Sequence, residues 1–117
     1  MSDPRLVPML ERYLDLSSKR HQLLVSNMAN VDTPGYQARD IDFRGELRRA
    51  MSNESVQLTP VARSVRGLLQ RPDGNNVDLD REGLMVSETQ MQYRVGIQLL
   101  RSEFRRLMTA IKEGNNT

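Results

Sequence analysis

The chain has 117 residues, the size of a single domain with one core, and with only 38% hydrophobic and 4% aromatic residues that core is thin. A mean hydropathy of −0.59, with no apolar run approaching the roughly 20 residues that span a bilayer, excludes a transmembrane helix, and the absence of cysteine excludes disulfides, thiolate metal sites and cysteine nucleophiles. Lys and Arg number 17 against 15 Asp and Glu, a formal charge of +2 with both signs interspersed, which argues against the concentrated basic face of a nucleic-acid-binding protein.

The first residues carry no secretory pattern, because Pro4, Pro8, Glu11 and Arg12 interrupt any apolar region early; export is expected by a route without a cleaved signal. From about Pro8 to Asn30, Leu10, Leu14, Leu24 and Met28 recur at three-four spacing, with Ser17 and His21 in the two remaining slots. This predicts an amphipathic helix. Asp3 before Pro4 is a candidate cap, but Pro8 has no N–H for the ladder, so the regular part is expected to begin near Pro8. Asn30, Asp32, Thr33, Pro34 and Gly35 then end the helix, and Pro-Gly at the centre of a turn predicts type II, with glycine at positive φ. Gly67 has no such turn signature around it.

Residues 36–76 form a different kind of sequence. Phe43, Leu47 and Met51 suggest a short helix. Ser52, Asn53, Ser55, Thr59, Pro60, Pro72, Gly74, Asn75 and Asn76 are turn formers, and the apolar anchors are Val56, Leu58, Val61, Val65, Leu68 and Leu69. That composition leaves room for a short hairpin but not for a long sheet.

A second helix is predicted from about Asp78 to Ile111, where Val86, Tyr93, Ile97, Leu100, Phe104, Leu107 and Ile111 keep the stripe with Gln90 breaking it, and Leu84, Met91, Val95 and Met108 widen it. Asp78 is the expected N-cap, followed by Asp80 and Glu82 in the first turn, where the helix dipole favours negative charge. The two helices would be about 35 and 50 Å long. The expected fold is therefore mainly α: N- and C-terminal amphipathic helices paired as a coiled-coil-like hairpin (residues 1–35 and 77–113), a small irregular or short-β middle segment (36–76), and a frayed tail (114–117).

Candidate chemistry is sparse. His21 is the sole histidine, and catalysis or zinc binding would need partners for it that the sequence does not offer. Asp73 to Glu82 resembles a calcium loop superficially, but its sixth position is Asp78 instead of glycine and its twelfth is Leu84 instead of glutamate. The basic clusters Lys19-Arg20, Arg48-Arg49 and Arg101 with Arg105-Arg106 are balanced by Asp15, Glu46 and Glu103. No catalytic residue, cofactor site or metal site is therefore assigned.

The stretch Ala29-Asn30-Val31-Asp32-Thr33-Pro34-Gly35-Tyr36 resembles the N-terminal signature of bacterial flagellar axial proteins, in which an amphipathic helix ends in Asn-Xaa-Xaa-Asn, here Asn27 to Asn30, and a Thr-Pro-Gly-Tyr turn. The continuation Gln37-Ala38-Arg39-Asp40-Ile41-Asp42-Phe43 and the run from Asp73 to Glu82 into the C-terminal helix are similar to basal-body rod proteins, those of the proximal rod in particular. There are two departures: the middle is short for the family, and Thr89 stands where relatives often carry Asn.

The resemblance implies a non-enzymatic structural subunit of the proximal rod in the periplasm. It would assemble by helix packing with copies of itself and other rod proteins, meet membrane-ring and adaptor proteins, pass through the flagellar type III export apparatus, and transmit torque. It would neither bind nucleic acid nor insert in the membrane. The assembly interface is expected at Leu10, Leu14, Leu24, Met28, Tyr93, Ile97, Leu100, Phe104, Leu107 and Ile111, and the chain-reversing turn at Asn27, Asn30, Thr33, Pro34, Gly35 and Tyr36. The alternative is a small helical nucleic-acid-binding or regulatory module using the arginine-bearing faces.

Overall fold

The computed structural model describes residues 3–52 and 60–115. Along the chain lie α1 (Leu6–Ala29), β1 (Arg39–Ile41), α2 (Phe43–Met51), β2 (Ala62–Ser64) and α3 (Leu79–Asn115). Helix α1 begins ahead of the expected Pro8. Asp3 sets its entry: Oδ1 accepts from Arg5 N at 2.8 Å, and the Asp3 carbonyl accepts from Leu6 N at 3.0 Å. Pro8 thus falls in the first turn, where backbone N–H groups have no intrahelical partner, and its missing donor costs nothing.

The helices α1 and α3 run antiparallel. Asn27 meets Glu82, His21 meets Thr89, and the Leu14 side chain comes up against Gly96. At 1.5 Å per residue α1 is about 36 Å long and α3 about 55 Å, so α3 outruns its partner. Every described residue from Phe104 onward is exposed, and the molecule measures 72 × 28 × 17 Å. Gly114 and Asn115 belong to α3; the other two residues of the expected tail lie outside the described residues.

The seam departs in part from the predicted stripe. On α1 Leu10, Ser17 and Leu24 are buried as expected, but Leu16, Arg20 and Asn27 are the other buried residues, while Leu14, His21 and Met28 are half-buried. On α3 the buried row is Glu82, Thr89, Gly96 and Glu103, a strict seven-residue repeat on the flank of the apolar stripe. Gly96 lets the helices close up: a Cβ there would lie 2.7 Å from Leu14 Cδ2 and 3.0 Å from Tyr13 Cδ1.

The middle segment packs on α1. Asp42 caps α2 by accepting from Gly45 N at 3.2 Å, and Phe43 meets Tyr13 edge to face at 5.2 Å and 89°. The buried Glu46 ties α2 to the returning chain, its Oε1 accepting from Val61 N at 3.2 Å. The sheet is an antiparallel pair with Arg39 opposite Ser64, Asp40 opposite Arg63 and Ile41 opposite Ala62. It is no tight hairpin, because α2 and residues 53–59 intervene. The expected anchors Val56 and Leu58, and the turn formers Asn53, Ser55 and Thr59, lie outside the described residues. The apolar core is Leu10, Leu16, Leu24, Ala38, Ile41 and Val77. Gly67, for which no special conformation is expected from its neighbours, has φ +82°.

Candidate assembly interface

Thr33-Pro34-Gly35-Tyr36 forms the expected turn, with Tyr36 N donating to Thr33 O at 3.2 Å and Gly35 at φ +77°; proline at the second and glycine at the third position satisfy type II geometry. A second turn, Arg71 to Gly74, packs against it. Gly35 N donates to Asp73 O at 2.8 Å, and a Cβ on Gly74, at φ +86°, would lie 3.3 Å from Gly35 Cα. Glycine at position 74 therefore serves both a left-handed conformation and a close backbone approach.

Buried amides join these turns to the helix ends. Asn27 is wholly buried and makes four hydrogen bonds. Its Nδ2 donates to Arg39 O at 2.8 Å and Glu82 Oε2 at 3.1 Å, while its Oδ1 accepts from Tyr36 OH at 3.1 Å and Arg39 N at 3.0 Å. Asn75, equally buried, donates to Asn30 O and Thr33 O at 2.8 Å each and accepts from Val77 N at 2.8 Å. It thereby gives the Asn30 and Thr33 carbonyls, just past the end of α1, a second donor beside Thr33 N and Tyr36 N. Asn76 Oδ1 accepts from Ala38 N at 2.7 Å, and the Arg71 guanidinium donates to the carbonyls of Val31 and Val77. Asn30 Nδ2 donates to Ser26 O at 2.8 Å, and Thr33 Oγ1 donates to Asn30 Oδ1 at 3.0 Å. Asp78 Oδ1 accepts from Asp80 N at 3.1 Å and Arg81 N at 3.2 Å, at the start of α3.

An ionic network continues from Asn27 along the seam. Glu82, wholly buried, pairs with Arg81 at 3.0 Å; Arg81 reaches Asp40 at 3.4 Å; Asp40 holds Arg20 through bonds of 2.9 and 3.1 Å; and Arg20 lies 3.5 Å from Glu88. Burial works against the Arg20 charge, but Asp40 and Glu88 outweigh it and hold its pKa above the usual arginine value. Desolvation offsets most of the attraction in such buried pairs, but removing one partner would leave the other charge buried and unpaired. Farther along, His21 Nδ1 lies 3.2 Å from Thr89 Oγ1, which donates to Val86 O at 2.8 Å.

The expected interface residues fall into two groups. Leu10 and Leu24 are covered by the chain itself, and Leu14, Met28, Ile97 and Leu100 are half-buried along the hairpin. Tyr93, Phe104, Leu107 and Ile111 are exposed at 44%, 50%, 39% and 57%, and the last three lie where α3 has outrun α1. Sequence reasoning missed Arg20, Arg71, Asn75, Glu82 and Gly96 as structural determinants. The seven-residue spacing of Glu82, Thr89, Gly96 and Glu103 was the available signal.

Some members of the basic clusters pair internally, Lys19 and Arg12 with Asp15, Arg49 with Glu46, and Arg106 with Glu103. Among the described residues no group of three or more His, Cys, Asp and Glu could hold a metal ion, and no helix is long and apolar enough to cross a membrane. No family model matches the chain. Curated relatives do. The chain is 34% identical over 123 aligned residues to the flagellar basal body rod protein FlgB of Salmonella typhimurium, covering 87% of this chain and 89% of that protein. Its identity to the Escherichia coli protein of the same name is also 34%, with the same coverage. For FlgB of Cereibacter sphaeroides identity is 40% over 113 residues, covering 85% of this chain and 88% of that one. The chain belongs to the FlgB family of flagellar basal body rod proteins. Within that family the Asn27-to-Tyr36 turn and the long α3 acquire a context, a subunit whose two terminal helices pack together. Nothing in the comparisons supports the nucleic-acid-binding alternative.

Proposed function

We propose that this FlgB-family chain is a non-enzymatic subunit of the proximal flagellar rod, joined to its neighbours through the part of α3 that extends past α1. The observation that carries this reading is the overhang, where Phe104, Leu107, Met108 and Ile111 are 39–57% exposed on a segment with no helix beside it among the described residues. A lone helix of about a dozen residues is marginal in water, and apolar side chains clustered on it gain by burial against other helices. Those helices would come from further copies and from other rod proteins, stacking the hairpins into a tube that carries torque from the membrane ring outward. Passage through the flagellar type III apparatus would bring the subunit to the periplasmic rod. The thin core suits a chain that completes its burial on assembly.

The test is a pair of substitutions in cells lacking the native gene. Phe104→Asp places a charge where a large apolar contact is expected, at a cost of about 3–5 kcal/mol per subunit if assembly buries the site. Arg105→Asp, one position away, should cost far less. The Phe104 variant should be made and exported yet give no rod in electron micrographs of basal bodies, with the membrane ring intact. Normal swimming by Phe104→Asp cells, or greater damage from Arg105→Asp, would overturn the assignment.

A further inference from the structure

At the end of the hairpin opposite the overhang, a cleft of about 330 Å³ is lined by Val31, Leu69, Arg71, Val77, Asp78 and Leu79. Val77 is buried there, whereas Leu79 is 48% and Leu69 90% exposed. No other large apolar side chain among the described residues is as exposed as Leu69. The loop that carries it is anchored: two residues on, Arg71 N donates to Asn75 O at 2.8 Å, and the Arg71 guanidinium donates to the carbonyls of Val31 and Val77. An apolar side chain held out in water from an anchored backbone, beside a partly apolar cleft, has the form of a docking point. The surroundings are acidic. Asp32, Asp73, Asp78 and Asp80 are exposed, and Arg71, the basic residue on the cleft wall, is engaged with backbone carbonyls.

We propose that this cleft receives the basic, apolar-striped helix end of an adjacent rod subunit, the chemistry that the α3 overhang of this chain itself displays. On that overhang Phe104, Leu107 and Ile111 are exposed, and so are Arg101, Arg105 and Lys112. Apolar surface meets apolar surface, and the aspartates of the tip meet the cations of the helix end, which fixes the orientation of the contact and excludes an acidic helix. Leu79 and Ile111 lie at opposite ends of α3, about 48 Å apart at 1.5 Å per residue, so a chain cannot fill its own cleft. The contact is between molecules and head to tail, two different surfaces meeting. The inference rests on the rod reading and adds to the overhang the surface that receives such a helix.

The probe is a labelled peptide of residues 97–113, titrated into the full chain carrying Phe104→Asp so that the receptor's own overhang does not compete. Fluorescence anisotropy should show saturable binding with a dissociation constant on the order of 100 µM, the weak end that suits a contact this small, and NMR shifts should gather at the amides of residues 31, 69, 77 and 79. Adding Leu69→Ser to the receptor should weaken binding at least fivefold with circular dichroism unchanged, because that side chain is almost wholly outside the fold. A peptide carrying Arg101→Glu, Arg105→Glu and Lys112→Glu should not bind, and salt should weaken the native peptide. Non-saturating anisotropy, shifts that map to the α1–α3 seam, equal affinity in Leu69→Ser, or equal binding of the acidic peptide would overturn the proposal. In cells, Leu69→Asp should be exported yet build few rods. Normal rods in those cells would overturn the inference while leaving the rod reading to the Phe104 substitution, so the two failures are told apart.

Discussion

Replacing Asn27 by Asp is nearly isosteric and converts one donor into a charge. In the native chain Nδ2 bridges Arg39 O at 2.8 Å and the buried Glu82 Oε2 at 3.1 Å. The variant loses both bonds, at about 0.5–1.5 kcal/mol each, and sets a second carboxylate against Glu82. Two like charges about 3 Å apart repel by roughly 5 kcal/mol at an effective dielectric constant near 20, a cost the pair limits by sharing a proton. A destabilisation of about 4–6 kcal/mol at neutral pH follows, against a total of roughly 6–18 kcal/mol for a chain of this length. Asn27→Ala loses all four bonds without the repulsion and should cost about 3–4 kcal/mol. The pH dependence separates the two. In Asn27→Asp, one carboxyl of the pair formed by the introduced aspartate and Glu82 has its folded pKa raised above its unfolded value. Its protonated form therefore stabilises the fold fully below the unfolded pKa, and that stabilisation is lost as pH rises through the folded pKa. Urea unfolding followed by circular dichroism from pH 8 to pH 4 should show Asn27→Asp regaining most of its deficit on the acid side while Asn27→Ala does not. An Asn27→Asp variant as stable as the native chain at neutral pH, or a deficit that stays constant on acidification, would show that Asn27 and Glu82 do not share a buried site.

Gly83→Ala, with open space around its Cβ, should raise stability by about 1 kcal/mol through helix propensity, whereas Gly96→Ala meets Leu14 and Tyr13 within 3.0 Å and should fall below it by about 1–3 kcal/mol; equal midpoints in urea would remove the close helix approach. Gly67 and Gly74 share a positive φ, but only at Gly74 would a Cβ meet backbone, 3.3 Å from Gly35 Cα, so Gly74→Ala should lower the thermal midpoint more than Gly67→Ala does. Amide exchange in the single chain should be slow across Leu10–Leu24 and Glu82–Gly96 and near the unprotected rate from Phe104 onward, slowing at least tenfold there in assembled rods. Fast exchange throughout α1 would show that the hairpin forms only on assembly.

The fold class was legible because its signals are local. Three-four periodicity, Asp78 ahead of two acidic residues, and Pro34-Gly35 each dictate backbone conformation through steric limits or hydrogen bonds a few residues long, and α1, α3 and the type II turn follow from them. The partial departure of the seam from the stripe was not legible, because apolar spacing favours Leu14 and Met28, whereas the buried positions on α1 include Arg20 and Asn27. A charged or amide side chain can be buried only when partners distant in sequence satisfy it. Those partners are Asp40 from β1 and Glu82 from α3, and only the tertiary structure brings them together. The same holds for Gly67, whose positive φ has no sequence signature, and for Gly74, whose requirement arises from Gly35 across a turn-to-turn contact. Which part of the long apolar stripe stays exposed was likewise decided by length in three dimensions: α1 is too short to cover α3 beyond Glu103, and Phe104, Leu107 and Ile111 are left facing outward.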